Sequence, residues 1–227
     1  MKTFVLNAEP RTDLGKKAAK AIRKENKIPV VLNGGKLIQF EKNEAGEWVY
    51  NEPLEPGQKA IVTTKEGKGV IATDLVVTQA DVRKLIYTPE IFAIDLDVNG
   101  AKKTAILKEI QFHPVKDEIL YIDLLEVNDK KPVVIEVPVK LEGHAEGVKA
   151  GGKLSLSMKK LKVKAVYTNI PERLVINVDN LGLGKTMQVG DLSFEGLELT
   201  NAKNAVVCAV QLTRAARGAA QAAAAAK

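Results

Sequence analysis

The sequence predicts a mainly β protein of two domains, and three observations carry that expectation. Apolar residues come in short alternating runs cut by Gly, Pro and Asn every few positions, the pattern of strands and tight turns. Only two stretches, 14–25 and 78–87, carry a helical period. The polar run Asn128-Asp129-Lys130-Lys131-Pro132 divides the chain as a linker does. The expected organisation is a first domain over 1–128, a β domain over 129–213 and an alanine-rich tail over 214–227, too short and stripe-free to pack and therefore expected to be disordered.

In chain order, 3–7 alternates as a short strand, and a helix is expected over 14–25 with Thr12 or Asp13 as its cap. The apolar strand 28–32 should stop at Asn33-Gly34-Gly35, with further strands at 36–42, 47–51, 59–64 and 69–77. Thr78 and Asp81 make a weak capping box for a helix that Pro89 closes. The clearest hairpin is 91–98 and 101–112 around Asn99-Gly100, a pair suited to two positive-φ positions. His113-Pro114 then breaks the strand before 119–127. The second domain offers strands at 133–141, 153–158, 161–166, 173–178 and 205–212, and no convincing helix.

Composition narrows the function. With 45% hydrophobic and 27% charged residues the chain reads as folded and soluble. No apolar run approaches the roughly 20 residues of a membrane span, and the N-terminus lacks a signal-peptide core. A single cysteine, Cys208, excludes an internal disulfide framework, fits a reducing cytoplasm, and reads as a buried thiol. Two widely separated histidines make a structural zinc site untenable. Gly184-Lys185-Thr186 imitates the end of a phosphate-binding loop, but Asp179 stands where its first glycine belongs, so a turn is expected. Asp95 and Asp97 share a strand face and read as solvated, and His144 has no nucleophile or ligand nearby in sequence. The expectation is a chain that is not an enzyme and has no cofactor, metal or small-molecule substrate.

The net charge of +6 is not spread evenly: residues 1–36 carry nine basic and three acidic side chains, and the remainder is neutral. On a helix, Lys16, Lys20, Arg23 and Lys27 fall in a stripe about 60° wide flanked by Lys17 and Lys24. Leu14, Ala18, Ala21 and Ile22 lie opposite. Like charges at i,i+4 weaken such a helix, and an anionic partner offsets the repulsion. With aromatics at only 4%, stacking platforms are excluded, and phosphates, sugar hydroxyls and groove shape remain as the recognised features. The apolar face, two alanines among its four residues and no aromatic, also argues against deep insertion into a membrane.

Residues Arg11-x-x-x-Gly15-Lys16, then Pro-Val-Val-Leu-Asn-Gly-Gly over 29–35, then Gln111-x-His113-Pro114-Val115 with Ile119-Leu120 and Asp123-Leu124 form a specific order. So do Gly147-Val148-Lys149-Ala150-Gly151-Gly152, Asn169-Ile170-Pro171-Glu172 and Gly190-Asp191-Leu192 downstream. Together they resemble the bacterial large-subunit ribosomal protein L-twenty-five family in its long two-domain form, called Ctc. The resemblance implies a six-stranded β-barrel with short helices that binds 5S ribosomal RNA at its loop-E region, followed by a β-rich domain contacting other large-subunit components. It places the protein in the cytoplasm, on the ribosome. The alternative is a non-ribosomal, stress-related protein recognising another structured RNA on the same scaffold.

Carried over by position, the resemblance implies an RNA face of Arg11, Gly15, Lys16, Lys17, Lys20, Arg23, Lys24, Asn33, Gln111, His113, Tyr121 and Asp123. Two of these have competing structural roles: His113 as a satisfied histidine before a proline turn, and Asp123 as a buried carboxylate with a backbone donor. Asn33, Tyr121 and Glu126 depart from the residues the family often has there. The segment over about 40–77 is longer than the family usually has, and reads as an inserted β-hairpin or small sheet of mixed charge facing a protein neighbour or solvent.

Overall fold

A computed structural model describes residues 1–43, 47–64, 66–129 and 131–213. It divides into two compact units, Met1–Lys131 and a second beginning at Pro132. The alanine-rich tail lies outside the described residues.

The first unit runs β1 (Lys2–Pro10), α1 (Lys16–Lys24), β2 (Lys27–Gln39), β3 (Glu41–Lys42), β4 (Trp48–Val49), β5 (Gln58–Val62), β6 (Lys68–Thr78), α2 (Gln79–Ile86), β7 (Phe92–Val98), β8 (Ala101–Phe112) and β9 (Ile119–Glu126). Strand order is β1-β7-β8-β9-β2-β6, and β6 returns to pair with β1, so six strands close into a barrel. Alternation fills it: Val30 and Leu32 of β2, Leu75 of β6, Ile94 and Leu96 of β7, and Ile122 and Leu124 of β9 are all essentially inaccessible. Val82 and Leu85 of α2 join the same core.

Several expectations change. The strand begun at Ile28 does not stop at Asn33-Gly34-Gly35; β2 continues to Gln39 through a bulge between Gly34 and Leu37. Gly34 permits this at φ 108, and a Cβ there would stand 3.2 Å from the Glu126 carbonyl oxygen on β9. Thr78 does cap α2, but without a side-chain hydrogen bond, so no capping box forms. Asn99 and Gly100 take the two positive-φ positions expected of them, at 51° and 89°.

The segment expected as an insertion is only partly one, because β6 is a barrel strand. Its remainder forms the β3–β4 hairpin and β5, a seventh strand laid on β6. The hairpin has its own aromatic packing. The Trp48 ring covers Gly67, where a Cβ would overlap it, and the Lys42 ammonium sits 4.8 Å above that ring. Phe40 and Tyr50 pack at 5.8 Å. The few aromatics of this segment are thus used to hold it together.

The second unit runs β10 (Val133–Glu142), α3 (Glu146–Lys149), β11 (Lys153–Leu156), β12 (Lys160–Ala165), β13 (Leu174–Asn177), β14 (Thr186–Gln188), β15 (Glu198–Leu199) and β16 (Val206–Gln211). It forms two sheets, β13-β10-β12-β15 and β11-β16-β14. The helical turn α3 was not expected, and the glycines around it explain its shape. A Cβ on Gly147 would stand 2.6 Å from the backbone at Gly182 and Leu183, and Gly143, at φ 95, lies against the Asp179 carboxylate. That carboxylate accepts the His144 N–H at 2.7 Å, which holds its pKa below the ordinary range. His144 therefore acts through its backbone. Cys208 is fully buried on β16, and burial pushes its thiol up.

Candidate nucleic-acid interface

α1 begins later than its period implied. Gly15, at φ 101, is the N-cap, no side chain caps the helix, and Leu14 stays exposed outside it. Lys27 is not on the cationic stripe: it starts β2 and pairs with Glu9 at 3.1 Å. Ala18, Ala19 and Ile22 form the half-buried face, while Ala21 is exposed. What remains is a nine-residue helix on which Lys16, Lys17, Lys20, Arg23 and Lys24 are all exposed. Arg23 and Lys24 in its last turn suit the helix dipole. Arg23 Nε donates to the Leu120 carbonyl at 3.0 Å, tying the end of α1 to the start of β9.

The outer barrel face is built by register. Val31 of β2 lies opposite Asp74 on β6 and Asp123 on β9, and on β8 Glu109 lies opposite Asp123 and Gln111 opposite Tyr121. Directly paired residues share a face, so these side chains form a row across four strands. Asp123, 8% exposed, has no backbone donor among the described residues, unlike the structural role considered for it. Instead Asn33 Nδ2 donates to its Oδ1, and Lys108 Nζ is 3.3 Å from its Oδ2. Asp74, 7% exposed, holds the Lys59 ammonium at 2.8 Å. The Asp74 backbone is gripped on both sides: its carbonyl accepts the Arg11 N–H at 2.8 Å and its N–H donates to the Gly57 carbonyl at 2.7 Å. Arg11 Nε is buried without a hydrogen-bond partner among the described residues.

Tyr121 lies in this row. Burial, then the charges of Asp123, Asp74 and Glu109, push its phenol up to about 12, with Arg11 pulling the other way. A phenol pKa raised above its unfolded value contributes stability that is complete below about pH 10 and is lost as pH rises toward 12. Tyr121→Phe is expected to remove the highest-pKa component of the phenol absorbance titration and to flatten the fall in stability across that interval.

His113 takes the structural one of the two roles considered for it, the satisfied histidine before the proline turn. Its Nδ1 accepts from the Val115 and Lys116 N–H groups, each at 3.2 Å, which leaves the neutral ring its proton on Nε2 as a donor. Gln111 is exposed near the end of β8.

The geometry therefore brings Arg11, Asn33, Tyr121 and Asp123 onto one face and links Arg23 to it through β9. Lys16, Lys17, Lys20 and Lys24 stay free of ion pairs among the described residues, on the helix beside β2. Sequence reasoning missed Asp74, Lys59, Lys108 and Glu109. Asp74 left a signal: it is the only ionisable residue in the run 69–77.

A closed barrel beside a helix with five exposed cations has the electrostatic footprint of a nucleic-acid-binding scaffold. Comparison with known proteins is more specific. The Ribosomal L25p family matches residues 6–71 and 59–124, and the C-terminal domain of ribosomal protein TL5 matches 132–214. The chain is 59% identical to the large ribosomal subunit protein bL25 of Porphyromonas gingivalis, over 97% of this chain and 98% of that one. The proteins of the same name from Parabacteroides distasonis and Phocaeicola vulgatus are 56% and 51% identical, over 96% and 97% of this chain and 98% of each relative. The chain belongs to the Ribosomal L25p family, in its long two-domain form. It is a ribosomal protein and not an enzyme.

Proposed function

We propose that this protein is held in the large ribosomal subunit by binding 5S ribosomal RNA at its loop-E region, through α1 and the outer barrel face. It is a structural component of that subunit, in the cytoplasm, as its relatives' names imply. The observation that carries the finer reading is the division of labour between the two surfaces. Five exposed cations on α1 suit phosphates. The row of Asp74, Asp123 and Glu109, its first two carboxylates paired with Lys59 and Lys108, suits sugar hydroxyls and base amino groups, with Tyr121 neutral at physiological pH beside them. Hydroxyl and amino readout favours RNA over DNA and a widened groove over a regular helix. The second unit serves other components of the subunit.

The test is filter binding of 5S rRNA against a variant with loop E restored to Watson–Crick pairs, and against DNA of the same sequence. Weaker binding of both is expected. Equal affinities would leave only non-specific electrostatics. RNA binding without co-sedimentation with the large subunit would point to a non-ribosomal RNA instead.

A further inference from the structure

The first part of the segment between β2 and β6 carries a concentrated negative charge. Residues 41–58 hold five glutamates against one lysine, a net charge of −4, and the lysines of the segment otherwise follow at 59, 65 and 68. Among the described residues, Glu41, Glu47, Glu52 and Glu55 have no lysine or arginine within 4 Å. Glu41, Glu52 and Glu55 accept only from the neutral Asn51, Tyr50 and Gln58 side chains. Lys42, the one cation of 41–58, lies over Trp48 on the opposite face of the hairpin from Glu41 and Val49, which pair directly. The same segment exposes Val49, Leu54, Ile61 and Val62. Its strand β5 ends the sheet, so one edge of its backbone is unpaired.

We infer that this inserted segment is a docking surface for a lysine- and arginine-rich protein segment. The uncompensated carboxylates attract cations and repel RNA phosphates, while the exposed aliphatic side chains gain from a polypeptide and not from a sugar–phosphate backbone. Two copies of this chain joined patch to patch are disfavoured, since the patch would meet its own charge. Proteins that share an RNA-rich particle carry the needed basic segments, because they must neutralise phosphate themselves. The inference does not depend on which RNA the barrel binds.

Trp48, the only tryptophan, lies in the hairpin and reports on it. The experiment titrates the full chain with an alternating Lys–Val decapeptide and follows Trp48 fluorescence. A saturable, salt-sensitive change is expected, absent with a Glu–Val decapeptide. The exposed, shape-preserving triple substitution Glu41→Gln, Glu47→Gln and Glu55→Gln should weaken binding at least about tenfold, and Lys16→Ala should leave it unchanged. Equal affinity in the triple variant, no fluorescence change, or an RNA-induced change that the triple variant abolishes would overturn the inference.

Discussion

Replacing Lys16, Lys20 and Arg23 together by alanine will weaken 5S rRNA binding by roughly 10²–10³-fold, at about 1–1.5 kcal/mol for each lost charge-assisted phosphate contact. The plot of log affinity against log salt should become shallower by about two to three units, because fewer counterions are released. The fold should tolerate the change: α1 has no fully buried residue, and alanine relieves like-charge pairs. Arg23 has a second role, its hydrogen bond to Leu120, so Arg23→Lys separates loss of charge from loss of that tether. An unchanged salt slope in the triple variant would remove α1 from the RNA surface.

Gly147→Ala will destabilise the second unit by about 2–3 kcal/mol. The added methyl meets backbone atoms at Gly182 and Leu183, which cannot rotate away as a side chain can. Denaturation followed by amide hydrogen exchange should show the shift in protection at Val137, Leu161 and Val207, which form that unit's core, with protection at Leu75 and Leu124 in the barrel unmoved. The same variant should retain 5S rRNA affinity. Unaltered exchange throughout would mean that the glycine is not needed for close approach.

Much of the fold could be read from local pattern, and what could not depended on distant partners. The Asn99-Gly100 hairpin and the buried alternation of β7 and β9 follow from two-residue periodicity. The continuation of β2 through Asn33-Gly34-Gly35 does not, because it depends on β6 and β9 flanking the bulge, at partners such as Ile71 and Glu126 that are far along the chain. The cationic helix was legible as composition, but the capping position was not: Gly15 caps by backbone conformation where Thr12 and Asp13 offered side chains. On the barrel face, the resemblance pointed separately to Asn33 and Asp123. That they bond to each other emerges only from the parallel pairing of β2 with β9. Lys59 escaped notice because nothing in its surroundings distinguishes it until β5 is laid beside Asp74.

The barrel is closed by only two residue pairs, Glu9 with Val76 and Pro10 with Leu75, although β6 is eleven residues long. β1 is too short to cover that edge, and β5 takes up the rest, beginning where β1 ends, with Gly57 and Arg11 meeting over the backbone of Asp74. Two strands far apart in sequence thus act as one composite edge. Growth of the β2–β6 connection therefore costs the barrel nothing in closure: the added strand covers the main-chain groups of β6 that β1 leaves, and carries the open edge of the sheet outward to itself. An insertion that looks like ornament in the sequence completes the seam that β1 begins.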